Sequence, residues 1–261
     1  MTSELLLDID GAIATITFSN PAKRNALTLH MRRALVSMVN KVHDDPAVRV
    51  VVLTGDGDEA FVAGADLSEL AGDATAAEIL SEAEQFDAEL AAAWDRLEKP
   101  VVAMIHGYCI GAGLMLALDA DLRIAAEGSQ FAIPAARLGL GLGPRYVEGL
   151  AAAVGSSWAA EMLFSARRLS AAEALRIGLV NHVVDPNELR TFTMALAAEI
   201  AQNAPLTIAA SKAAIRQLRL EPAQRDRARV ETMAEACMRS ADLAEGQTAF
   251  REKRPPRFTG R

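Results

Sequence analysis

The chain has 261 residues, 51% hydrophobic and 23% charged, which suits one large globular domain with a substantial core. Its formal net charge of −7 excludes a general surface for nucleic acid or anionic membranes, although a few local cations can still hold a small polyanion. The apolar runs are short or contain Gly, the acidic N-terminus lacks a signal-peptide pattern, and two cysteines give no disulfide framework. We therefore expect a cytoplasmic protein with no membrane or nucleic-acid partner.

The first half of the chain alternates strand and helix patterns. Asp10 and Gly11 are typical of a hairpin turn between two β-rich runs. The segment 48–55, VRVVVLTG, is mostly apolar and ends in glycine, which indicates a strand buried on both faces. The other predicted elements are, in chain order, an amphipathic helix at 27–45, a long helix at 76–99, a buried strand at 100–107, a short helix, and strands at 121–127 and 129–134.

After about residue 145 the pattern becomes mainly helical. The predicted helices cover 158–178, 185–202, 203–220 and 222–250, with a short strand at 179–184. Asp185 and the proline after it are typical of a helix N-terminus. These patterns predict an α/β fold whose core covers residues 1–195 and whose C-terminal helical segment covers residues 196–261.

Two loops of the chain share one construction. AGA at 63–65 and GAG at 111–113 each follow a buried strand and precede a helix. Ligands of open α/β sheets bind at the carboxyl ends of strands, where two such loops meet. Two backbone N–H groups there can hold one oxygen that gains negative charge, helped by the positive end of a helix. Close packing of strand against helix is the alternative reason for small residues, and one loop alone is weak evidence.

Other catalytic patterns are missing from the sequence. It contains no GxSxG, no GxxxxGK[ST], and no GxGxxG after the first strand. The four histidines lack the spacing of metal ligands, so we expect no metal. His106 precedes the second loop, and a hydrogen bond within a packed turn explains it at least as well as catalysis does.

Six segments carry a resemblance to a known family. They are NPAKRNAL, AFVAGADL, HGYCIGAGLMLALDADLRIAA, FAIPAARLGLG, SARRLSAAEALRIGLVNHVV and EGQTAFREKR. In this order and spacing, from about residue 4 to about residue 258, they resemble the crotonase family, also called the enoyl-CoA hydratase/isomerase family. No single motif is strict, but six in register are specific. The resemblance implies a crotonase-type spiral of repeated ββα units, with C-terminal helices that build homotrimers, often paired into hexamers.

The resemblance also implies a ligand and a set of contacts. Family members bind acyl-CoA thioesters and stabilise an enolate or similar oxyanion with two backbone N–H groups, which map to Ala65 and Ala112. No cofactor is implied beyond the coenzyme A moiety of the substrate. The substrate and CoA contacts that carry over are Lys23, Arg24, Ala26, Ala63, Gly64, Asp66, Leu67, Gly111, Met115, Pro134, Ala135, Leu140, Phe250 and Lys253.

The sequence departs from the family's pattern where hydratases carry two glutamates. Met115 occupies the first position, a turn into the helix after the second loop, and Ala135 occupies the second, just after FxxP. A further acid used by dienoyl isomerases would fall near Gly143. Paired carboxylates suit hydration because one accepts a proton from water while the other delivers one to carbon. The candidate substitutes on or near the loops are Tyr108, Tyr146 and Glu148. The acids for which a structural role is favoured are Asp66, Asp119 and Asp121.

Several functions remain open at this point. One is a lyase or isomerase on acyl-CoA that relies on the backbone N–H pair, and a decarboxylase-like relative is a variant of it that needs no strong base. Another is an inactive acyl-CoA-binding or carrier protein. A pure oligomeric scaffold is disfavoured, because it would not need ligand-facing motifs. Apolar residues at Met115, Ala135 and Leu140 predict a dry pocket and therefore a longer or bulkier acyl group.

Overall fold

The computed structural model shows strand–helix units in the first half of the chain and mainly helices in the second. It describes residues 4–66, 68 and 76–261. The strands are β1 (Glu4–Asp10), β2 (Ile13–Ser19), β3 (Val50–Gly55), β4 (Ala60–Val62), β5 (Val101–Ile105), β6 (Tyr108–Ile110), β7 (Leu122–Ala126), β8 (Gln130–Ala132), β9 (Leu169–Ser170) and β10 (His182–Val184). The helices are α1 (Leu29–Asp44), α2 (Ala76–Arg96), α3 (Ala112–Asp119), α4 (Ala135–Leu138), α5 (Pro144–Ser165), α6 (Ala171–Arg176), α7 (Leu189–Gln202), α8 (Pro205–Gln217), α9 (Arg227–Met238) and α10 (Ala241–Glu252).

The described strands form two sheets. The larger has the order β1-β2-β3-β5-β7-β10, and the smaller has the order β4-β6-β8-β9. Strands β1 and β2 form the antiparallel hairpin predicted from Asp10 and Gly11, whereas β2, β3, β5, β7 and β10 run parallel. Strands β3, β5 and β7 lie in the larger sheet, and each is followed by a strand of the smaller sheet and then by a helix. This is the predicted spiral of ββα units, and the fold class is confirmed.

Strand β3 lies at the centre of the core. All of its residues are buried, as the apolar run predicted. Val51 and Leu53 belong to the cluster that includes the buried face of α1, whereas Val50 and Val52 pack with residues of α7. Successive side chains of a strand point to opposite faces, so a strand covered on both sides must be apolar at every position. Each fully buried Val or Leu contributes about 1.5–3 kcal/mol to folding.

The helix predicted at 158–178 is wrong as a single element. Helix α5 already begins at Pro144, is interrupted at Gly155 (φ 79°, ψ 158°) and ends at Ser165. Ala166 then has a left-handed backbone with φ 49°. The chain then forms β9, and Ser170 caps α6 by accepting a hydrogen bond from the Glu173 N–H while the Glu173 carboxylate accepts from the Ser170 N–H. The sequence S-A-A-E is a capping box, a helix start signal inside an otherwise helical pattern.

Helix α7 starts later than predicted. Its N-cap is Glu188, and Asp185 instead closes a turn by accepting a hydrogen bond from the Asn187 N–H at 2.8 Å. The predicted division at 195/196 falls inside α7, which packs against β3, β5 and β7. The division into a core of residues 1–195 and a C-terminal helical segment of residues 196–261 stays a prediction. No helix in the described part of the chain is long and apolar enough to cross a membrane.

The C-terminal segment is attached to the core by buried polar contacts. Lys212 of α8, only 5% exposed, donates a hydrogen bond to Asp121 Oδ2 at 2.7 Å. After α10 the chain folds back: the carboxylate of Asp242 accepts hydrogen bonds from the N–H groups of Thr259 and Gly260. Arg49, next to β3, donates to the carbonyl of Phe258. We refer to residues 255–261 as the C-terminal strap.

Candidate active site

The two Gly loops meet where β4 and β6 end. These strands are parallel neighbours in the smaller sheet, so their carboxyl ends lie side by side. A Cβ atom at Gly64 would lie 3.7 Å from the carbonyl oxygen of Ile110, and one at Gly111 would lie 3.9 Å from Gly64 Cα. Both glycines have positive φ, 121° and 55°, a conformation that other residues rarely adopt. The predicted convergence of the two loops is confirmed.

Ala65 in the first loop and Ala112 in the second each present an amide with no acceptor among the described residues. The residues on either side of Ala65 both bond to Leu27. The Leu27 N–H donates to the Gly64 carbonyl, and the Asp66 N–H donates to the Leu27 carbonyl. Ala112 is the first residue of α3, where the helix itself supplies no acceptor for the N–H. Among the described residues, neither the Ala65 nor the Ala112 N–H has a hydrogen-bond acceptor. Two free donors on adjoining loops, one at the positive end of a helix, suit an oxygen that gains negative charge.

An ion pair holds the first loop. Lys23 Nζ lies 2.7 Å from Asp66 Oδ2, 3.0 Å from Asp66 Oδ1 and 2.7 Å from Ser68 Oγ. Burial alone would raise the pKa of Asp66, but the hydrogen bonds from Lys23 and Ser68 outweigh it and hold that pKa below its ordinary value. Asp66 thus stays ionised, and much of the charge of Lys23 is compensated within the loop.

Two buried asparagines hold the segment before α1, and neither is among the residues that the resemblance assigned. Asn25 is 1% exposed and donates hydrogen bonds to the carbonyls of Asp56 and Ala60. Asn20 donates from its side chain to the carbonyl of Ala26, and its own N–H donates to Asn25 Oδ1. The signal was readable, because Asn is among the few residues that tolerate the left-handed backbone seen at Asn25, with φ 58°.

Two exposed arginines, Arg24 and Arg168, lie over the half-buried ring of Tyr108. The guanidinium of Arg24 lies 5.0 Å from the centre of the Tyr108 ring, and that of Arg168 lies 5.3 Å from it. Arg24 also has a weak contact with Glu59 at 3.4 Å. Tyr108, a candidate acid or base from the sequence, therefore has its ring flanked by two cations.

The second loop is bordered by apolar side chains. A Cβ at Gly111 would lie 4.0 Å from Pro134 Cδ, and Ala135, which follows it, is 8% exposed. Met115 is half-buried on α3 and packs against the main core, and Leu140 is 52% exposed. No carboxylate stands at 115 or 135, so the loop has apolar neighbours at both positions.

The amino-acid sequence matches the family model described as enoyl-CoA hydratase/isomerase over residues 8–261. The chain belongs to the enoyl-CoA hydratase/isomerase family. The short-chain-enoyl-CoA hydratase of Clostridium acetobutylicum is 34% identical to it over 97% of this chain and 96% of the relative. The crotonyl-CoA hydratase of Syntrophomonas wolfei is 36% identical over 97% of both chains. A solved enoyl-CoA hydratase from Bacillus anthracis has a TM-score of 0.91 at 29% identity, covering 98% of this chain and 99% of that one.

Apart from Leu67, and from Leu140, which follows α4 and is 52% exposed, the residues that the enoyl-CoA hydratase/isomerase resemblance assigned fall into two groups. The structure brings one group together around the two loops: Lys23, Arg24, Ala26, Ala63, Gly64, Ala65, Asp66, Gly111, Ala112, Met115, Pro134 and Ala135. Phe250, 87% exposed, and Lys253, the C-cap of α10, form the other group. No hydrogen bond or ion pair among the described residues joins either side chain to the loops. Leu67 lies outside the described residues.

The described residues contain no group of three or more His, Cys, Asp or Glu that could hold a metal ion. Cys109 is fully buried in β6, and burial strongly raises the pKa of its thiol. A protonated, buried thiol is inert as a nucleophile. The chemistry that the site supports therefore centres on the two backbone donors.

Proposed function

We propose that this protein binds acyl-CoA thioesters and acts on them as a lyase or isomerase through the N–H groups of Ala65 and Ala112. The observation that carries the proposal is that both donors are unpaired on loops that touch. Two hydrogen bonds to a thioester oxygen draw electron density onto it and make the neighbouring carbon acidic. Each such donor contributes about 3–4 kcal/mol to transition-state stabilisation.

The substrate class follows from the family and from the local charge. The matched relatives are named as hydratases of CoA thioesters, and family membership supports enoyl-CoA hydratase/isomerase-like chemistry. Arg24, 54% exposed and only weakly paired with Glu59, is the main cation beside the first loop for a CoA phosphate. Lys23, 47% exposed, adds the part of its charge that Asp66 leaves uncompensated. We infer that CoA enters with the substrate and that no other cofactor takes part. Apolar neighbours at Met115 and Ala135 favour a longer or bulkier acyl group.

We also propose that the protein forms an oligomer. Ile215, Leu218 and Met238 on and beside α8 and α9 are 60%, 70% and 69% exposed. Large apolar side chains on one helical segment favour burial against another subunit, in keeping with a homotrimer or a dimer of trimers. Phe250 and Lys253 would then reach the CoA of a neighbouring protomer rather than that of their own. We place the protein in the cytoplasm.

A second candidate function is acyl-CoA binding without turnover. Met115 and Ala135 favour it, because the resemblance puts glutamates of hydratases at those positions. A decarboxylase-like activity is a third reading, since loss of CO2 needs an electron sink more than a base. The three candidate functions predict different results for removal of the substrate's α-proton and for hydration of an enoyl-CoA.

The proposal is tested by removing one donor without removing a side chain. In Ala112→Pro the helix should persist, because proline fits the first helical position and Gly111 has no Cβ to clash with the ring. The matched control Ala112→Ser keeps the N–H. Turnover of short, medium and long enoyl-CoA substrates and calorimetric binding of the saturated analogues are measured, with circular dichroism as the check on folding.

The expected result is turnover in the wild type, a loss of about 100-fold or more in Ala112→Pro, and a far smaller loss in Ala112→Ser. Binding of acyl-CoA without any turnover by the wild type would establish the second candidate. CO2 release from a malonyl-type thioester, without hydration, would establish the third. Absence of acyl-CoA binding would overturn all three.

A further inference from the structure

The peptide unit between Gly64 and Ala65 carries the first of the two free donors. Its carbonyl, that of Gly64, accepts a hydrogen bond from the Leu27 N–H at 2.8 Å. In a planar trans peptide the C=O and the N–H point in opposite directions, and the described residues contain no cis peptide bond. The Ala65 N–H therefore points away from Leu27, and the Leu27 hydrogen bond sets the plane of the donor.

The residues on both sides of this peptide unit are held by the same segment before α1. The Asp66 N–H donates to the Leu27 carbonyl at 2.8 Å, so that Leu27 and Ala65 form a parallel bridge. On the other side, the Ala63 N–H donates to the Arg24 carbonyl at 3.1 Å. The backbone of the first loop is thus hydrogen-bonded before and after Ala65, whose own N–H stays free for a ligand.

The donor of the second loop has the same arrangement. The carbonyl of Gly111, in the peptide unit that carries the Ala112 N–H, accepts a hydrogen bond from the Met115 N–H at 3.1 Å. A hydrogen bond to the carbonyl polarises a peptide and makes its N–H a stronger donor. In the second loop this support is the first turn of α3 itself. In the first loop it comes from a separate segment, which must itself be fixed.

The side chain of Asn25 fixes that segment two residues before Leu27. Its Nδ2 donates to the carbonyl of Ala60 at 2.7 Å and to that of Asp56 at 2.9 Å. A Cβ atom at Gly55 would lie 2.8 Å from Asn25 Nδ2, so the glycine leaves the space that the amide occupies. Asn25 therefore ties the segment to the start of β4, the strand that leads into the first loop.

A second asparagine fixes the residue between Asn25 and Leu27. Asn20 Nδ2 donates to the carbonyl of Ala26 at 2.9 Å, and the Asn20 N–H donates to Asn25 Oδ1 at 3.0 Å. After Leu27 the chain enters α1, whose N-cap Thr28 accepts a hydrogen bond from the helix backbone. Leu27 is thus held between two asparagine amides and the start of a helix.

The structure assigns Asn25, supported by Asn20, as the positioning residue for the Ala65 N–H. This inference rests on the proposed function. Both Nδ2 hydrogens of Asn25 are already given to backbone carbonyls, so it acts through Leu27 and not on the substrate. Without the amide, the Leu27 segment shifts and the Gly64 peptide turns with it. The thioester oxygen gains its charge in the transition state, so a misaligned donor lowers kcat more than it raises KM.

The test measures how strongly the site polarises a bound thioester. Butyryl-CoA labelled with carbon-13 at its carbonyl is bound, and its C=O stretching frequency is read by difference infrared spectroscopy. Exchange of its α-protons in D2O is followed by NMR. Asn25→Gly removes the side chain and keeps the left-handed backbone, φ 58°, which glycine adopts without strain. Val50→Ala, a fully buried position at the start of β3, is the control for lost stability alone.

In the wild type the bound carbonyl should absorb at a lower frequency than in free butyryl-CoA, because two donors draw charge onto the oxygen. Asn25→Gly and Ala112→Pro should each lose much of this shift, whereas Val50→Ala should keep it. Calculated per folded molecule, from urea denaturation, exchange should fall about 10-fold or more in Asn25→Gly and stay within about twofold in Val50→Ala. The dissociation constant of butyryl-CoA should change less than about threefold in Asn25→Gly.

A full carbonyl shift in Asn25→Gly, together with its loss in Ala112→Pro, overturns the role of Asn25 and leaves the proposed function standing. An equal loss in Val50→Ala and Asn25→Gly also overturns it, because stability alone then explains the effect. An unshifted carbonyl in the wild type overturns the proposed use of the two amides. If the wild type shifts the carbonyl without exchanging protons, the frequency alone decides. If Asn25→Gly does not fold, Asn20→Ala decides by the same criteria.

Discussion

The two Gly loops resemble each other in sequence but are held by different forces. The first, at 63–66, depends on polar side chains: Lys23 pairs with Asp66, and Asn25 ties the preceding segment to β4 and to the turn before it. The second, at 107–113, depends on the absence of side chains. A Cβ at Gly107 would lie 1.9 Å from the Glu59 carbonyl oxygen, and one at Gly113 would lie 2.1 Å from that of Val62.

The two loops that carry the backbone donors are therefore stabilised differently: the first by hydrogen bonds and an ion pair, the second by close backbone packing. A polar network loses stability in steps, because each hydrogen bond can be removed by itself. A close backbone contact has no such steps, because a single added methyl group must displace a strand. The first loop should therefore respond to charge and salt, and the second to shape alone.

The largest effect is expected for Gly113→Ala in the second loop. The new methyl group would overlap the Val62 backbone, and we expect the free energy of unfolding to fall by about 3 kcal/mol. Urea denaturation followed by circular dichroism measures it. Gly149→Ala in α5 is the control, because a Cβ there meets nothing within 4 Å. Equal stability of the two variants would refute the steric account of the second loop.

In the first loop, Asn25→Ala should lower the free energy of unfolding by about 2 kcal/mol. It leaves the carbonyls of Asp56 and Ala60 without their donor at a site that is 1% exposed. The same denaturation experiment applies. Asn203→Ala, an exposed asparagine after α7, is the control and should change the free energy by well under 1 kcal/mol. A loss at Asn25 no larger than that at Asn203 contradicts the polar account.

A smaller effect, below about 1 kcal/mol, is expected for Lys23→Met. Lys23 is 47% exposed, so solvent screens its attraction to Asp66, and Ser68 still donates to the carboxylate. The difference from the wild type should shrink further in 1 M salt, where Coulomb interactions are screened within about 3 Å. Lys41→Met, on the exposed face of α1, is the control. A salt-independent difference would mean that Lys23 acts by packing.

The smallest effect is expected at His106, which precedes the second loop. Burial lowers its pKa, and the carboxylates of Asp58 and Asp56 oppose that shift only in part. The unfolded chain therefore takes up a proton more readily, and stability is lost as the pH falls below about 6.5, towards the lowered pKa of the folded state. His106→Gln should lose less stability than the wild type between pH 7.5 and pH 5. His30→Gln, exposed on α1, is the control for a lost surface histidine.

Much of the fold was predictable because its signals are local. The hairpin at Asp10 and Gly11, the buried strand that ends at Gly55, and the two Gly loops depend on short-range rules of turn chemistry and periodicity. Helix limits were less predictable. The capping box at Ser170 lay within a helical pattern, and the Pro after Asp185 was consistent with a helix start four residues too early.

The polar contacts of the first loop could not be predicted, because the partners are distant in sequence. Lys23 and Asp66 are 43 residues apart, and Asn25 and Ala60 are 35 residues apart. Nothing in either segment identifies its partner before the chain folds. The construction of the two Gly loops indicated backbone donors, but only the resemblance assigned them to Ala65 and Ala112, since a single N–H group carries no sequence signal of its own.

The C-terminal strap has a consequence for any molecule that binds α10. In the strap, the N–H groups of Thr259 and Gly260 donate to the carboxylate of Asp242 in α10, and the carbonyl of Phe258 accepts a hydrogen bond from Arg49 beside β3. The conformational entropy of this last segment is therefore already lost in the isolated chain. A partner that docks on the exposed ring of Phe250 meets a preorganised surface, and association does not have to order the helix first.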